Sequence, residues 1–280
     1  MKIAFVLHGL SGGKTSKDEK LPYDSVEAIP FIKKNIVDGN DVDFFFHTWE
    51  EGFNKKFIDE YKPKRFLIEK QKIFRKPDFF EYKDFIKKTI KNLIGFYVKK
   101  ELNYHNAIYS RWYSCKKSLE LLENYVNDNN TKYDFVICTR FDFFLKKKII
   151  FENLNNNFFY IPIEIIFTNK DKMPVYPAAD YLKDHFDPGK YNPVEYGHNE
   201  LPQNGMNDLF QMSSYENILK IKNIFDLIDK YYADKVPDSN HHLLLAHLVR
   251  SGLEPKMVNL LKNRLDCGLI KWTKDNYKHT

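Results

Sequence analysis

What this chain lacks narrows the field first. It has three cysteines in 280 residues, Cys115, Cys138 and Cys267, far apart and with no CxxC pair. A zinc site built on thiolates is not expected from that pattern. An odd count without a secretory signal predicts a reducing compartment. The apolar run at residues 3–7 stops at His8, too short for a signal-peptide core. No stretch reaches the roughly 18 apolar residues of a membrane span. A cytoplasmic location is therefore expected.

Charge of one sign is also scarce. Lys and Arg total 44 against 38 Asp and Glu, a net charge of +6, and basic runs such as Lys146-Lys147-Lys148 are short. A nucleic-acid binder carries a denser basic stripe, so no nucleic-acid partner is expected. A mild positive field suits an anionic small molecule, or peripheral contact with an anionic inner-membrane surface.

What is present reads as an ordinary globular core. Hydrophobic residues at 43% and charged residues at 29% exclude disorder and collagen-like repeats. The 24 Phe, 18 Tyr and 25 Asn fit an AT-rich coding sequence rather than a function. Residues 3–7 form a continuous apolar run that enters His8-Gly9-Leu10-Ser11-Gly12-Gly13, a buried strand feeding a glycine loop. Residues 42–49 read as a second strand after the turn at 38–41. A helix is predicted over 104–126, with Ala107, Trp112, Cys115, Leu119, Leu122 and Val126 at helical spacing. Residues 133–138 are the next buried strand, 158–167 a strand pair and 209–212 a short strand. Residues 215–232 and 240–252 read as amphipathic helices. Between them, residues 168–205 hold five of the 12 prolines, the composition of a long functional lid. Alternating strand and helix predicts an α/β fold with a parallel-rich sheet.

The glycine loop fails the P-loop test. A P-loop needs four residues between its first glycine and Gly-Lys-Ser/Thr, and only three separate Gly9 from Gly13. Residues His8, Gly9, Leu10, Ser11 and Gly12 could still line a nucleotide pocket through backbone amides, because they follow the first buried strand. Thr139-Arg140-Phe141-Asp142 is the sharpest signal. Ligands of open α/β sheets bind beyond strand carboxyl ends, and Arg140 and Asp142 point the same way if the strand continues. Asp142 could hold a divalent cation and Arg140 a phosphate, or the two could form a structural ion pair. His47, at a strand end, is a pocket candidate or a buried histidine bonded to backbone. His241, His242 and His247 do not share a helical face as i, i+4 residues would, and Asp238-Ser239-Asn240 reads as a capped helix start. Tyr109, Trp112 and Tyr113 lie within about a turn and could stack on a base or pack a core.

These residues together resemble the pattern of bacterial GT-A-type glycosyltransferases from capsule and lipooligosaccharide clusters. The resemblance rests on the glycine loop after the first strand, the strand ending in His47-Thr48-Trp49, and the helical Tyr109-Ser110-Arg111-Trp112-Tyr113-Ser114. It continues with the strand into Arg140-x-Asp142 and with Asn207-Asp208 before a short strand, and spans most of residues 1–250. It implies a Rossmann-like mixed sheet flanked by helices with a helical C-terminal part. One GT-A-like domain over 1–280 would comprise a nucleotide-sugar half, 1–150, and an acceptor half, 151–280. It also implies a nucleotide-sugar donor and a glycan or lipid-linked glycan acceptor. Donor contacts would come from residues 8–12, His47, Thr48, Trp49, Tyr109, Tyr113, Thr139 and Arg140. Asp142 and Asp208 would be catalytic, Asp208 as base. GT-A enzymes hold Mg²⁺ or Mn²⁺ on Asp-x-Asp; here only Asp142 has a counterpart and Arg140 replaces the first carboxylate. Two other readings stand beside this one: a P-loop-like phosphoryl or sulfuryl transferase, and a non-catalytic carbohydrate-binding protein.

Overall fold

The computed structural model describes residues 1–14, 22–74, 96–162, 207–234, 236, 238–253, 256–261 and 266–270. The expected lid at 168–205 and the end of the expected strand pair at 158–167 lie outside them. The strands are β1 (Lys2–Gly9), β2 (Gly12–Lys14), β3 (Pro22–Asp24), β4 (Asp41–Trp49), β5 (Arg65–Glu69), β6 (Phe135–Arg140), β7 (Phe143–Leu145), β8 (Phe159–Ile161), β9 (Phe210–Ser213), β10 (Met257–Asn259) and β11 (Cys267–Leu269). The helices are α1 (Ile29–Ile32), α2 (Lys56–Tyr61), α3 (Phe96–Asn129), α4 (Tyr215–Lys220), α5 (Ile224–Ala233) and α6 (Asn240–Arg250).

Seven strands make one mixed sheet in the order β10-β8-β9-β6-β1-β4-β5, flanked by helices. β6, β1, β4 and β5 run parallel, whereas β9 is antiparallel to both β6 and β8. This is an α/β architecture compatible with a Rossmann-like fold. The strand order explains the unbroken apolar run of β1. A central parallel strand is covered on both faces, so both sets of alternating side chains must be apolar. Ile3, Phe5 and Leu7 enter the core shared with α1 and α2, and Ala4 and Val6 enter the core shared with α3, α4, α5 and α6. Phe44 and Phe46 divide from Phe45 in the same way on β4. A one-residue slip would exchange the faces of a whole strand, and each large side chain contributes roughly 1.5–3 kcal/mol by burial. Register is thereby fixed, and with it the level at which each strand ends.

That level matters because the strand order reverses between β1 and β6. The chain lays β4 and β5 on one side of β1, then returns to place β6 on the other. His8 stands beside His47 on one side and Arg140 on the other, and Leu7 stands beside Thr139. The buried stripe of α3 differs from the expected one at its start. It runs Ile108, Trp112, Cys115, Leu119 and Leu122, while Ala107 is exposed.

Candidate functional site

Four elements bring charge to the reversal point. β9 is antiparallel to β6, so the start of β9 lies beside the end of β6. Thr139 pairs with Phe210, and its Oγ1 donates to the Leu209 carbonyl at 2.8 Å. Asn207 and Asp208 thus arrive next to Arg140. Asn207 Oδ1 accepts from the Leu209 amide at 3.0 Å, an Asx-type turn that holds the segment. From above, α3 contributes Arg111, and the first turn of α6 contributes His241.

The charges pair as follows. Arg140 grips Asp142 with both arms, Nε to Oδ1 at 2.8 Å and a terminal nitrogen to Oδ2 at 2.7 Å. Arg111 reaches Asp208 Oδ2 at 2.9 Å and also donates to the Asp208 carbonyl. His241 Nδ1 lies 3.1 Å from Asp208 Oδ1. Asp142 and Asp208 are both buried. Buried charges persist only when well paired, which these are. Two nitrogens here are nevertheless unmatched among the described residues: Arg111 Nε and His8 Nδ1 are buried without a hydrogen-bond partner.

The surroundings tune these groups. Burial, reinforced by the Arg111 and Arg140 cations, keeps the His8 imidazole neutral well below its ordinary 6.5. Burial also lowers Arg111, against the pull of Asp208. For Arg140 burial is outweighed by Asp142 and Asp208, and its affinity for the proton rises. The Tyr23 hydroxyl on β3 is raised by burial and by the Asp142 carboxylate, so Tyr23 stays a neutral donor beside this cluster.

A second group sits at the end of β4. Ser114 Oγ, from α3, lies 2.7 Å from His47 Nδ1 and accepts from the Gly9 amide at 2.7 Å. His47 Nε2 lies 2.9 Å from Glu69 Oε2. A carboxylate at Nε2 selects the tautomer with its proton there, leaving Nδ1 to accept from Ser114. The order Ser–His–Glu matches a nucleophile triad, but Ser114 is wholly buried and its single hydroxyl proton is shared between His47 Nδ1 at 2.7 Å and the His47 carbonyl at 3.1 Å. It fastens the loop rather than attacking a substrate. Burial alone would raise the Glu69 carboxyl, but hydrogen bonds from Lys72, His47 and Tyr113 hold it down to about 2.

The loop after β1 is shaped by glycines. Gly9 has φ +96°, a left-handed region that strains any side chain. Gly12 is pressed against the turn after β4: a Cβ there would lie 2.5 Å from the Gly52 carbonyl oxygen. Gly12–Lys14 then pair antiparallel with β3 instead of leading directly into a helix, unlike a P-loop. Ser11 is buried, its carbonyl accepting from the Ser25 amide at 3.0 Å, and Leu10 is exposed.

The sequence-predicted residues therefore divide. His8, Thr139, Arg140, Asp142 and Asp208 come together at the reversal point. Gly9, Ser11, Gly12, His47 and Thr48 form the adjoining loop and strand end, where Thr48 Oγ1 donates to Ser11 Oγ at 3.3 Å. The Gly9 amide, expected to face a ligand, is engaged by Ser114. Trp49 is buried, stacked on Tyr113 at 5.7 Å. Tyr109 packs with Phe74 and Phe225 and bonds Asp229 on α5, a core position. Of the histidines on α6, His242 meets the capping Ser239 and His247 is buried against Tyr231 and the Lys220 carbonyl. His241 instead joins the site, 3.1 Å from Asp208. Tyr23, Glu69 and Gly52 carry no motif that singles them out, and Arg111 and Ser114 stand in the helical segment of the resemblance without a role assigned there. Arg111 has one usable signal: it lies three residues after Ile108 and four before Cys115, on the buried side of α3.

The divalent metal implied for Asp142 does not fit this arrangement. Both its oxygens already accept from Arg140, and Asp208 is held by Arg111 and His241. A hard cation needs several available oxygens, and here two guanidiniums supply positive charge instead. No protein-family model matches the chain, and no curated protein matches it either.

Proposed function

We propose that this chain is a GT-A-type glycosyltransferase moving a sugar from a nucleotide-sugar donor to a bacterial surface polysaccharide or lipooligosaccharide acceptor. The observation that carries the reading is the pair of Arg–Asp couples at the β1/β6 reversal. Open α/β sheets bind nucleotides at such points. A departing nucleoside diphosphate requires positive charge, which Arg140 and Arg111 provide where a metal would otherwise serve. A diphosphate beside Arg111 competes with Asp208 for the guanidinium and releases that carboxylate to act as base on the acceptor hydroxyl. His241 keeps Asp208 oriented. In this reading residues 1–150 hold the donor and 151–280 the acceptor, and the enzyme works in the cytoplasm at the inner-membrane surface.

A second reading, a non-catalytic carbohydrate-binding protein, draws on the Arg140–Asp142 couple, in which each partner satisfies the other. Thermal-shift measurement with nucleotides separates the two. UDP, GDP or CMP is expected to raise the melting temperature. A shift with ATP alone would point to phosphoryl transfer, and no shift with any nucleotide would favour the carbohydrate-binding reading.

A further inference from the structure

Sequence spacing argues against a thiolate metal site, since no two cysteines are close along the chain. The fold brings two of them together. Cys115 on α3 and Cys138 on β6 place their Sγ atoms 3.7 Å apart. His8 on β1 joins them, each residue offering one ligand atom within 4.8 Å of the others, and all three are buried.

We propose that His8, Cys115 and Cys138 form a binding site for a thiophilic divalent metal ion of the Zn²⁺ class. Four observations support it. In a tetrahedral site with Zn–S bonds of about 2.3 Å, two sulfurs stand roughly 3.8 Å apart. The 3.7 Å separation therefore already meets that requirement. The imidazole has at most about 1 Å to close, a small side-chain adjustment. His8 Nδ1 is a buried nitrogen with no hydrogen-bond partner among the described residues, so the ring has a nitrogen not committed to the protein. Two sulfurs and an imidazole select Zn²⁺, Cd²⁺ or Co²⁺ over Mg²⁺.

Charge balance is favourable as well. A divalent ion with two thiolates and a neutral imidazole carries no net charge. Binding therefore adds none beside Arg111, which is already paired with Asp208. The basic groups facing this cluster are Arg111, Arg140 and His47. Each is held by a carboxylate: Asp208, Asp142 and Glu69 in turn. The ligands come from two central strands and a core helix, so little ordering is required on binding. Three protein ligands leave a fourth position, as in zinc sites that keep an exchangeable ligand.

The test is a titration of reduced, full-length protein with Co²⁺. A thiolate-to-cobalt charge-transfer band should saturate at one equivalent, vanish in Cys138→Ser and persist in Cys267→Ser. Absence of the band in folded wild-type protein overturns the proposal, as does its survival in Cys138→Ser. X-ray absorption at the zinc edge of the Zn²⁺-loaded wild-type protein checks the same point without any variant. Two sulfurs and one nitrogen among the ligands are expected, and a shell of oxygen alone would refute the site.

Discussion

The β1/β6 reversal and the end of β4 adjoin one another at the same edge of the sheet, yet they treat their polar groups in opposite ways. At β4, both nitrogens of His47 are paired, Ser114 is engaged by three partners and Glu69 gathers Lys72, His47 and Tyr113. At the reversal, ionised pairs are buried while Arg111 Nε and His8 Nδ1 have no partner among the described residues. A buried polar group without a partner carries a desolvation cost that a bound ligand can remove. A completed network has nothing left to offer and acts by holding its neighbours still. Under the proposed function, the contrast assigns ligand contact to the reversal and positioning to the β4 group.

The largest test of that division is Asp208→Asn. Under the proposed function it should lower sugar transfer by roughly 10²–10⁴-fold, the usual contribution of a general base, while nucleotide affinity is retained. Steady-state transfer alongside nucleotide titration reads both. Equal loss of the two, or of neither, would leave Asp208 as the structural partner of Arg111 and His241.

Asp142→Asn comes next, with transfer expected to fall about 100-fold, the scale of one site electrostatic contact. Circular dichroism should show an unchanged fold. Turnover near wild type would take Asp142 out of the site and leave it as the structural partner of Arg140.

Ser114→Ala should act on stability more than on chemistry. It strips the half-buried Gly9 amide and the buried His47 Nδ1 of a partner, at about 1–3 kcal/mol. Urea denaturation measures this, and transfer should fall less than in either aspartate variant. A transfer defect as deep as that of Asp208→Asn would erase the distinction between the two groups.

The mildest effect is expected in acid. His47 is lowered from 6.5 chiefly by burial, so the folded state keeps it neutral while the unfolded chain takes up a proton. Its stability contribution is full above 6.5 and declines as pH falls below that value. Glu69, lowered from 4.5 to about 2, contributes fully above 4.5 and loses that contribution as pH falls towards about 2. Glu69→Gln should remove the lower step and, by taking the acidic partner from His47, deepen the upper one. Unfolding curves collected across this range check both; an unaltered profile in the variant would disprove the coupling.

Much of this site is legible in the amino-acid order. The apolar run of β1, the strand into Arg140 and the strand into His47 are unbroken because central parallel strands are covered twice. Polar residues that stop such runs mark the sheet edge where ligands gather. The helix start at Ser239 is readable from capping chemistry: Ser239 accepts the His242 amide as expected of such a cap. Arg111 is harder to see. A cation inside an amphipathic helix usually belongs to the solvated side, and only its phase relative to Ile108 and Cys115 places it inward. His241 is invisible to histidine spacing, because its partner is a carboxylate from a different element.

The sequence by itself determined the α/β class and placed β1, β4, β6 and β9 to within two residues at each end, because apolar periodicity is a local record of burial. Tertiary structure alone decided which strand ends are neighbours. Arg111 meets Asp208 across 97 residues, Gly9 meets Ser114 across 105, and Cys115 meets Cys138 from a helix onto a strand. Such pairings depend on strand order and on the sheet face that each helix covers. Those follow from the summed packing of the two cores, which no short segment of the chain contains.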